Sequence, residues 1–267
     1  MLECVINVSE GRRLDVVAEI GAAAGDHLLD VHTDADHHRS VVTLAGPDVE
    51  DRAFAVVEAA VQRIDLRAHD GVHPRLGAAD VVPFVPLHRS SMADALAARD
   101  RLAARIVERL GVPCVRYGPE RSLPDVRRSA ADEVRAHPTA GICCIGARPI
   151  LIAYNLWLAP PATLADARAI ARTIRAPGLR TLGLQVGDRV QVSCNLVDPA
   201  IVGPAEAFDT VTAHAPVERA ELVGLLPRSV LAAIASERWP ALDISAEKTI
   251  EARLEQAGLD GGRFRAT

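Results

Sequence analysis

A chain of 267 residues, 49% hydrophobic and carrying a net charge of −5, is long enough for one large core or two ordinary ones. Its basic residues are scattered, not striped, which argues against nucleic acid as a partner. The longest run free of Asp, Glu, Lys and Arg, residues 149–165, holds prolines and an asparagine and falls short of a membrane span.

Two further absences narrow the chemistry. Lys248 is the one lysine, near the C-terminus and outside any glycine-rich loop, which argues against a Schiff-base lysine, pyridoxal phosphate and a Walker-type ATP site. The five cysteines, Cys4, Cys114, Cys143, Cys144 and Cys194, are odd in number, lack C-x-x-C spacing and sit in apolar runs, so they read as small buried hydrophobes. Residues 1–13 carry Glu3 and Glu10 and no apolar segment, unlike a signal peptide, so the expected location is the cytoplasm.

In chain order, residues 2–8 read as a strand and 12–24 as a helix with Leu14, Val17, Ile20 and Gly21 on one side. Strands follow at 27–32 and 39–45, separated by a polar turn at 33–38. Gly46-Pro47 stops the second, and a helix runs from 49 to 63. A loop then leads to a strand at 81–85, a helix from an Ser91 N-cap to Leu110, a short strand at 114–117 and a helix over 124–135. A similar order recurs: strand 149–156, helix 164–175, a hairpin of 179–186 with 189–197 around Gly187-Asp188, helix 205–214, strand 217–226 and helix 229–235. Two split β-α-β repeats predict an α/β (α+β) protein of two ferredoxin-like sandwiches. The expected boundaries are 1–136, 137–238 and a helical tail over 239–267, with one helix at 246–257.

The loop from 64 to 80 is the most informative stretch, because long structured connections inside compact domains are usually functional. It holds His69, His73, Arg67, Arg75, two glycines and Pro74. Pro74 restricts His73 to an extended backbone, so the imidazole is mounted on a stiff chain suited to general acid/base work. His69, four residues earlier, is placed to orient His73 or touch a ligand. Arg39, Arg75 and Arg148 each sit beside a turn or strand end, where a guanidinium can clamp a carboxylate. Asn7 and Asn155 interrupt apolar strands, and Gln191, Ser193 and Asn195 share one strand face. Such a polar row lines a site or makes hydrogen bonds between domains. The cluster Asp34-Ala35-Asp36-His37-His38-Arg39 has metal-binding residue types but no second group to complete a ligand set, so no metal is expected.

These motifs have a family look. Cys4-Val5-Ile6-Asn7-Val8-Ser9-Glu10-Gly11-Arg12 resembles the C-V-P-N-F-S-E-G-R opening of glutamate formiminotransferases. Asp34 to Arg39, His73-Pro74-Arg75, Gly146-Ala147-Arg148, Leu151 to Asn155, Gln191 to Leu196 and Glu221 to Pro227 follow in family order. The resemblance implies two ferredoxin-like subdomains, a folate-lined cleft between them and a homodimer. It also implies transfer of a formimino group from N-formiminoglutamate to N5 of tetrahydrofolate, the co-substrate. The family's catalytic histidine, in its G-E-H-P-R motif, falls on His73. The substrate- and folate-binding candidates are Asn7, His32, Arg39, His69, Arg75, Arg148, Asn155, Gln191, Ser193 and Asn195.

The chain also departs from the family pattern. His32 stands where relatives carry an aspartate, Asp70 where they carry lysine, and Val72 where they carry the glutamate beside the catalytic histidine. A stretch around 128–138 is shortened. Formyl transfer from N-formylglutamate, formimidoyl transfer involving another amine, and a non-catalytic folate-binding role are the alternatives these changes leave open.

Overall fold

A computed structural model describes residues 1–259 of the chain, which divides into two compact units, the first Met1–Pro149 and the second beginning at Ile150. In the first, β1 (Leu2–Val8), α1 (Leu14–Ala22), β2 (Leu28–Asp34), β3 (Arg39–Gly46), α2 (Val49–Arg63) and β4 (Ala79–Pro86) form the expected split repeat. Then come α3 (Met92–Leu110), β5 (Cys114–Tyr117), α4 (Leu123–Glu133) and β6 (Cys143–Ala147). The six strands pair in the order β2-β3-β1-β4-β6-β5, antiparallel through the first four and parallel at β4-β6 and β6-β5.

Strand alternation sorts the side chains onto two faces. Cys4, Ile6, Val42, Leu44, Val82, Phe84, Cys143 and Ile145 enter one core with Ile20, Val57, Leu102 and Ile106 from α1, α2 and α3. The intervening Val81, Val115, Tyr117 and Cys144 point the other way and meet Val126 and Ala130, one turn apart on α4. α4 therefore covers the far end of the opposite face. It starts where Ser122 accepts a hydrogen bond from the Asp125 N–H, with Pro124 in the first turn. α3 begins with a reciprocal Ser91/Asp94 capping box and stops at Gly111, whose φ of +65° is the left-handed cap that glycine adopts without strain.

The second unit holds β7 (Ile152–Leu158), α5 (Leu164–Thr173), β8 (Leu179–Val186), β9 (Arg189–Leu196), α6 (Pro204–Thr212) and β10 (Val217–Val223), followed by α7 (Arg228–Ala232) and α8 (Ile250–Gln256). Its sheet runs β10-β7-β9-β8, antiparallel throughout, the strand order of β2-β3-β1-β4 read backwards. Tyr154, Leu156, Val192, Leu196 and Leu222 form the helix-facing core with Ile170 and Val211. Gly183 allows α5 to press on β8, since a Cβ there would lie 2.4 Å from the Ala167 carbonyl carbon.

Two boundaries differ from expectation. The first unit continues past 136, because β6 supplies the parallel ladder that joins β4 to β5. Residues 239–259 are not a separate tail: Leu242 and Ile244 lie in the second core, Tyr154 Oη donates to the Leu242 carbonyl (2.8 Å), Leu226 N donates to the Lys248 carbonyl (3.1 Å) and Ile250 N to the Leu226 carbonyl (2.9 Å). The last residues of the expected 239–267 segment lie outside the described ones. The strand expected at 149–156 starts at Ile152, after Pro149 ends the first unit.

Candidate active site

The loop between α2 and β4 is tied down at both ends. Leu66 N donates to the Thr139 carbonyl (2.8 Å), Ile142 N to the Leu76 carbonyl (2.8 Å), and Ser9 Oγ to the Gly77 carbonyl (2.8 Å). Within it, the Arg75 guanidinium donates to the carbonyls of Gly71 and His73, closing the turn from inside. His73 Nδ1 lies 2.8 Å from the Pro74 carbonyl. A carbonyl oxygen only accepts, so Nδ1 carries the proton and Nε2 keeps its lone pair. Among the described residues Nε2 has no hydrogen-bond partner. A half-buried imidazole with one nitrogen anchored and the other open is arranged to take a proton.

Beneath this ring sits a buried charge cluster. Asp80 is 0% exposed; its Oδ1 accepts from Leu76 N (2.7 Å), and its Oδ2 accepts from Arg39 Nη1 (2.6 Å) and from Arg127 Nη2. Arg39 Nε also donates to Asn7 Oδ1 (3.2 Å). Two guanidiniums against one carboxylate leave about one net positive charge beside His73. Burial works against the Asp80 charge, but Arg39 and Arg127 outweigh it and hold the carboxyl below its usual range. Burial, then Arg39 and Arg127, push the His73 imidazole well below its usual value, against the opposing pull of the Pro74 carbonyl and Asp80. His73 is therefore neutral at physiological pH.

A second layer supports the first. The buried Glu10 Oε1 collects the backbone N–H groups of Gly11, Arg12 and Arg13, at 3.0, 2.9 and 3.0 Å, fixing the entry to α1. Gly11 is required there, since a Cβ would lie 2.1 Å from the Asp34 carbonyl oxygen. Its N–H also donates to His38 Nδ1 (3.1 Å), and the His38 ring stacks on His69 at 4.0 Å between centroids. His69 Nε2 donates to the His38 carbonyl (3.1 Å). In the β2-β3 turn Asp34 accepts from His37 N (2.7 Å), and the His37 ring meets His73 edge-on at 6.0 Å. The histidine-rich turn thus builds the walls around His73. Among the described residues no three His, Cys, Asp or Glu converge as metal ligands would.

Of the residues singled out from sequence, His73, Arg39, Asn7, Arg75 and His69 come together here. Arg39 and Arg75 are engaged with Asp80 and loop carbonyls. His32 lies on β2 in a cross-strand row with Val41, Asn7 and Val81. Arg148 stands apart, at the other end of β4: its N–H donates to the Phe84 carbonyl (3.0 Å) and its guanidinium to the Pro149 carbonyl (3.0 Å). In the second unit, Asn155 faces Ser193, Trp157 faces Gln191, and Ala153 faces Asn195. Asn155 Nδ2 (3.3 Å) and Trp157 Nε1 (2.9 Å) both donate to Glu221 Oε2, so this sheet face has a carboxylate at its centre.

Asp80, Arg127 and Glu221 were not among the sequence candidates. Asp80 had a visible signal, a lone charge inside the apolar run of residues 78–86; Arg127 had none.

The site carries a pH expectation. Burial lowers the pKa of His38, His69 and His73, with Arg75 and then His38 adding to the effect at His69. In the unfolded chain each titrates near 6.5, so below about that pH the unfolded state binds protons that the folded state refuses. Stability should fall as pH drops from 7.5 to 5. Calorimetry should find Tm declining over that interval, and a flat Tm would contradict the placement of these rings.

Comparison with known proteins bears on both units. A family model described as "Formiminotransferase domain, N-terminal subdomain" matches residues 1–148. Glutamate formimidoyltransferase from Streptococcus pyogenes serotype M1 is 32% identical, over 94% of this chain and 97% of its own. The glutamate formimidoyltransferase of Thermoplasma acidophilum is 33% identical, over 96% and 98% respectively. Formimidoyltransferase-cyclodeaminase from Sus scrofa is 30% identical over 97% of this chain but 57% of its own length.

Proposed function

The chain belongs to the formiminotransferase family of transferase enzymes, and on that premise we propose that it moves a formimino group from N-formiminoglutamate to N5 of tetrahydrofolate, with His73 as general base and acid. In such a transfer the incoming nitrogen bonds to the amidine carbon and must lose a proton. The departing glutamate nitrogen must gain one as its bond to that carbon breaks. One imidazole serves both demands: Nε2 removes the first proton and the resulting imidazolium returns it to the leaving amine.

The observation that carries this reading is the state of His73. It is neutral, anchored through Nδ1 and open at Nε2, beside a guanidinium pair with a positive surplus. That surplus suits a donor bearing carboxylates. A carboxylate arriving there would also offset the field of Arg39 and Arg127, lifting the imidazole toward the pH at which it exchanges protons best.

Asp70 is paired with Arg12 at 2.7 Å, and Val72 is 42% exposed. Both lie within three residues of His73, so donor choice is the property they bear on. The test is to incubate the protein with N-formiminoglutamate and tetrahydrofolate, following the folate absorbance, with N-formylglutamate in parallel. Turnover with the formimino donor is expected. Turnover with N-formylglutamate alone would reassign the donor, and none with either would remove the catalytic reading.

A further inference from the structure

We infer that Arg127 is a positioning residue for His73: reaching from α4, it holds the Pro74 carbonyl and Asp80 together, and so fixes which imidazole nitrogen is left to act as the base. This rests on His73 being that base, but it concerns a residue outside every motif that carries the family resemblance.

The geometry is a closed circuit. Arg127 Nη1 donates to the Pro74 carbonyl (3.1 Å), the same oxygen that accepts from His73 Nδ1 (2.8 Å). Its other terminal nitrogen donates to Asp80 Oδ2, and Asp80 Oδ1 accepts from Leu76 N (2.7 Å), two residues past Pro74. The His73–Leu76 backbone is thus gripped on both sides by one guanidinium and its carboxylate. Carbonyl oxygens have two lone pairs, and here one takes the imidazole and the other the arginine. The fork of Arg127 reaches the two acceptors with separate nitrogens held at a fixed spacing, which a point-like ammonium does not offer.

α4 delivers this side chain because Val126 and Ala130 are buried against Val115, Tyr117 and Cys144, leaving Arg127 beside that contact and next to the loop. A purely structural tie between α4 and the loop would use the same bonds. It would not set the protonation behaviour of His73, however, and that difference is measurable. The charged and titratable groups around the ring are Arg39 from β3, Asp80 from β4, Arg127 from α4, His37 from the β2-β3 turn and Arg75 from its own loop. Since Arg39 remains, removing Arg127 should produce a partial effect.

The experiment is a 15N NMR titration of histidine-labelled full-length protein, with His73→Ala assigning the resonance. In the wild type at neutral pH, His73 should be the Nδ1–H tautomer. In Arg127→Gln its pKa should rise by about one pH unit and the tautomers should mix. The acid limb of the kcat/KM profile should move upward by the same amount. Arg127→Lys keeps the charge but not the fork, so it should return the pKa to within a few tenths of wild type while leaving the tautomers mixed. An Nε2–H tautomer in the wild type would overturn the inference without any variant, whether or not Arg127→Gln folds. So would an unmoved His73 titration in a folded Arg127→Gln protein. Because the NMR needs no substrate, failure of the transferase assay with an intact NMR result would count against the proposed reaction alone.

Discussion

Replacing His73 with alanine should lower kcat by roughly 10²–10⁴-fold, the usual contribution of a positioned acid/base group, with little change in KM. The ring is half-buried, and its one hydrogen bond goes to the neighbouring Pro74 carbonyl. Removing it therefore leaves no distant group unpaired. The loop keeps its Arg75 turn, its ties to Thr139 and Ile142, and the Asp80 bond to Leu76 N. Neighbouring histidines are poor substitutes: His69 Nε2 is committed to the His38 carbonyl, and His38 Nδ1 accepts from Gly11 N. The loss should be partly reversed by added imidazole, which can diffuse into the space vacated. A variant retaining kcat within about threefold of wild type, with an unchanged melting profile, would show that the proton moves elsewhere.

Local pattern reached far in this chain, and its limits have identifiable causes. The helix over 49–63 and the hairpin strands around Gly187-Asp188 were legible because their apolar period and turn residues are contained within a few residues. β6 was noted only as an apolar, strand-like run around its cysteines and had no place in the expected order of elements. It is five residues long, with two cysteines and a glycine, and its strand identity comes from parallel neighbours β4 and β5, some 60 and 30 residues earlier in the chain. Missing it shifted the expected domain boundary. The same divide runs through the site. His73 announced itself through Pro74 and the length of its loop, and Asn7 through being polar in an apolar strand. Arg127 looks like any helix-surface arginine until α4 is laid on the sheet face opposite α3. Arg39 and Arg75 were picked out as clamps for a ligand's carboxylate. In the structure both hold protein groups, Asp80 and the loop carbonyls, which no local pattern could foretell.

Asp80→Asn should produce the largest stability loss of any single change at this site, roughly 3–5 kcal/mol, as expected when one partner of a buried ion cluster is removed. The Arg39 and Arg127 side chains keep 13% and 20% of their exposure, so water relieves part of the strain and the loss should lie toward the lower end. An asparagine still offers Leu76 N a carbonyl, which preserves the loop anchor but not the charge balance. Against a typical folding stability of about 5–15 kcal/mol, that loss should appear as a clear drop in denaturant midpoint with an unchanged m-value. The pH sense follows from the carboxyl's lowered pKa. Its stabilisation is complete above about pH 4, where the unfolded aspartate is ionised, and is lost as pH falls through the lower folded value. Asp80→Asn should therefore flatten the acid limb of the stability profile below pH 4, leaving the histidine-driven decline between 7.5 and 5 in place. A variant within about 1 kcal/mol of wild type would mean that the two guanidiniums find other partners when the carboxylate is gone. The same variant exposes His73 to two uncompensated cations, so its imidazole should resist protonation further. Stability and turnover would then fall together, whereas His73→Ala costs turnover alone.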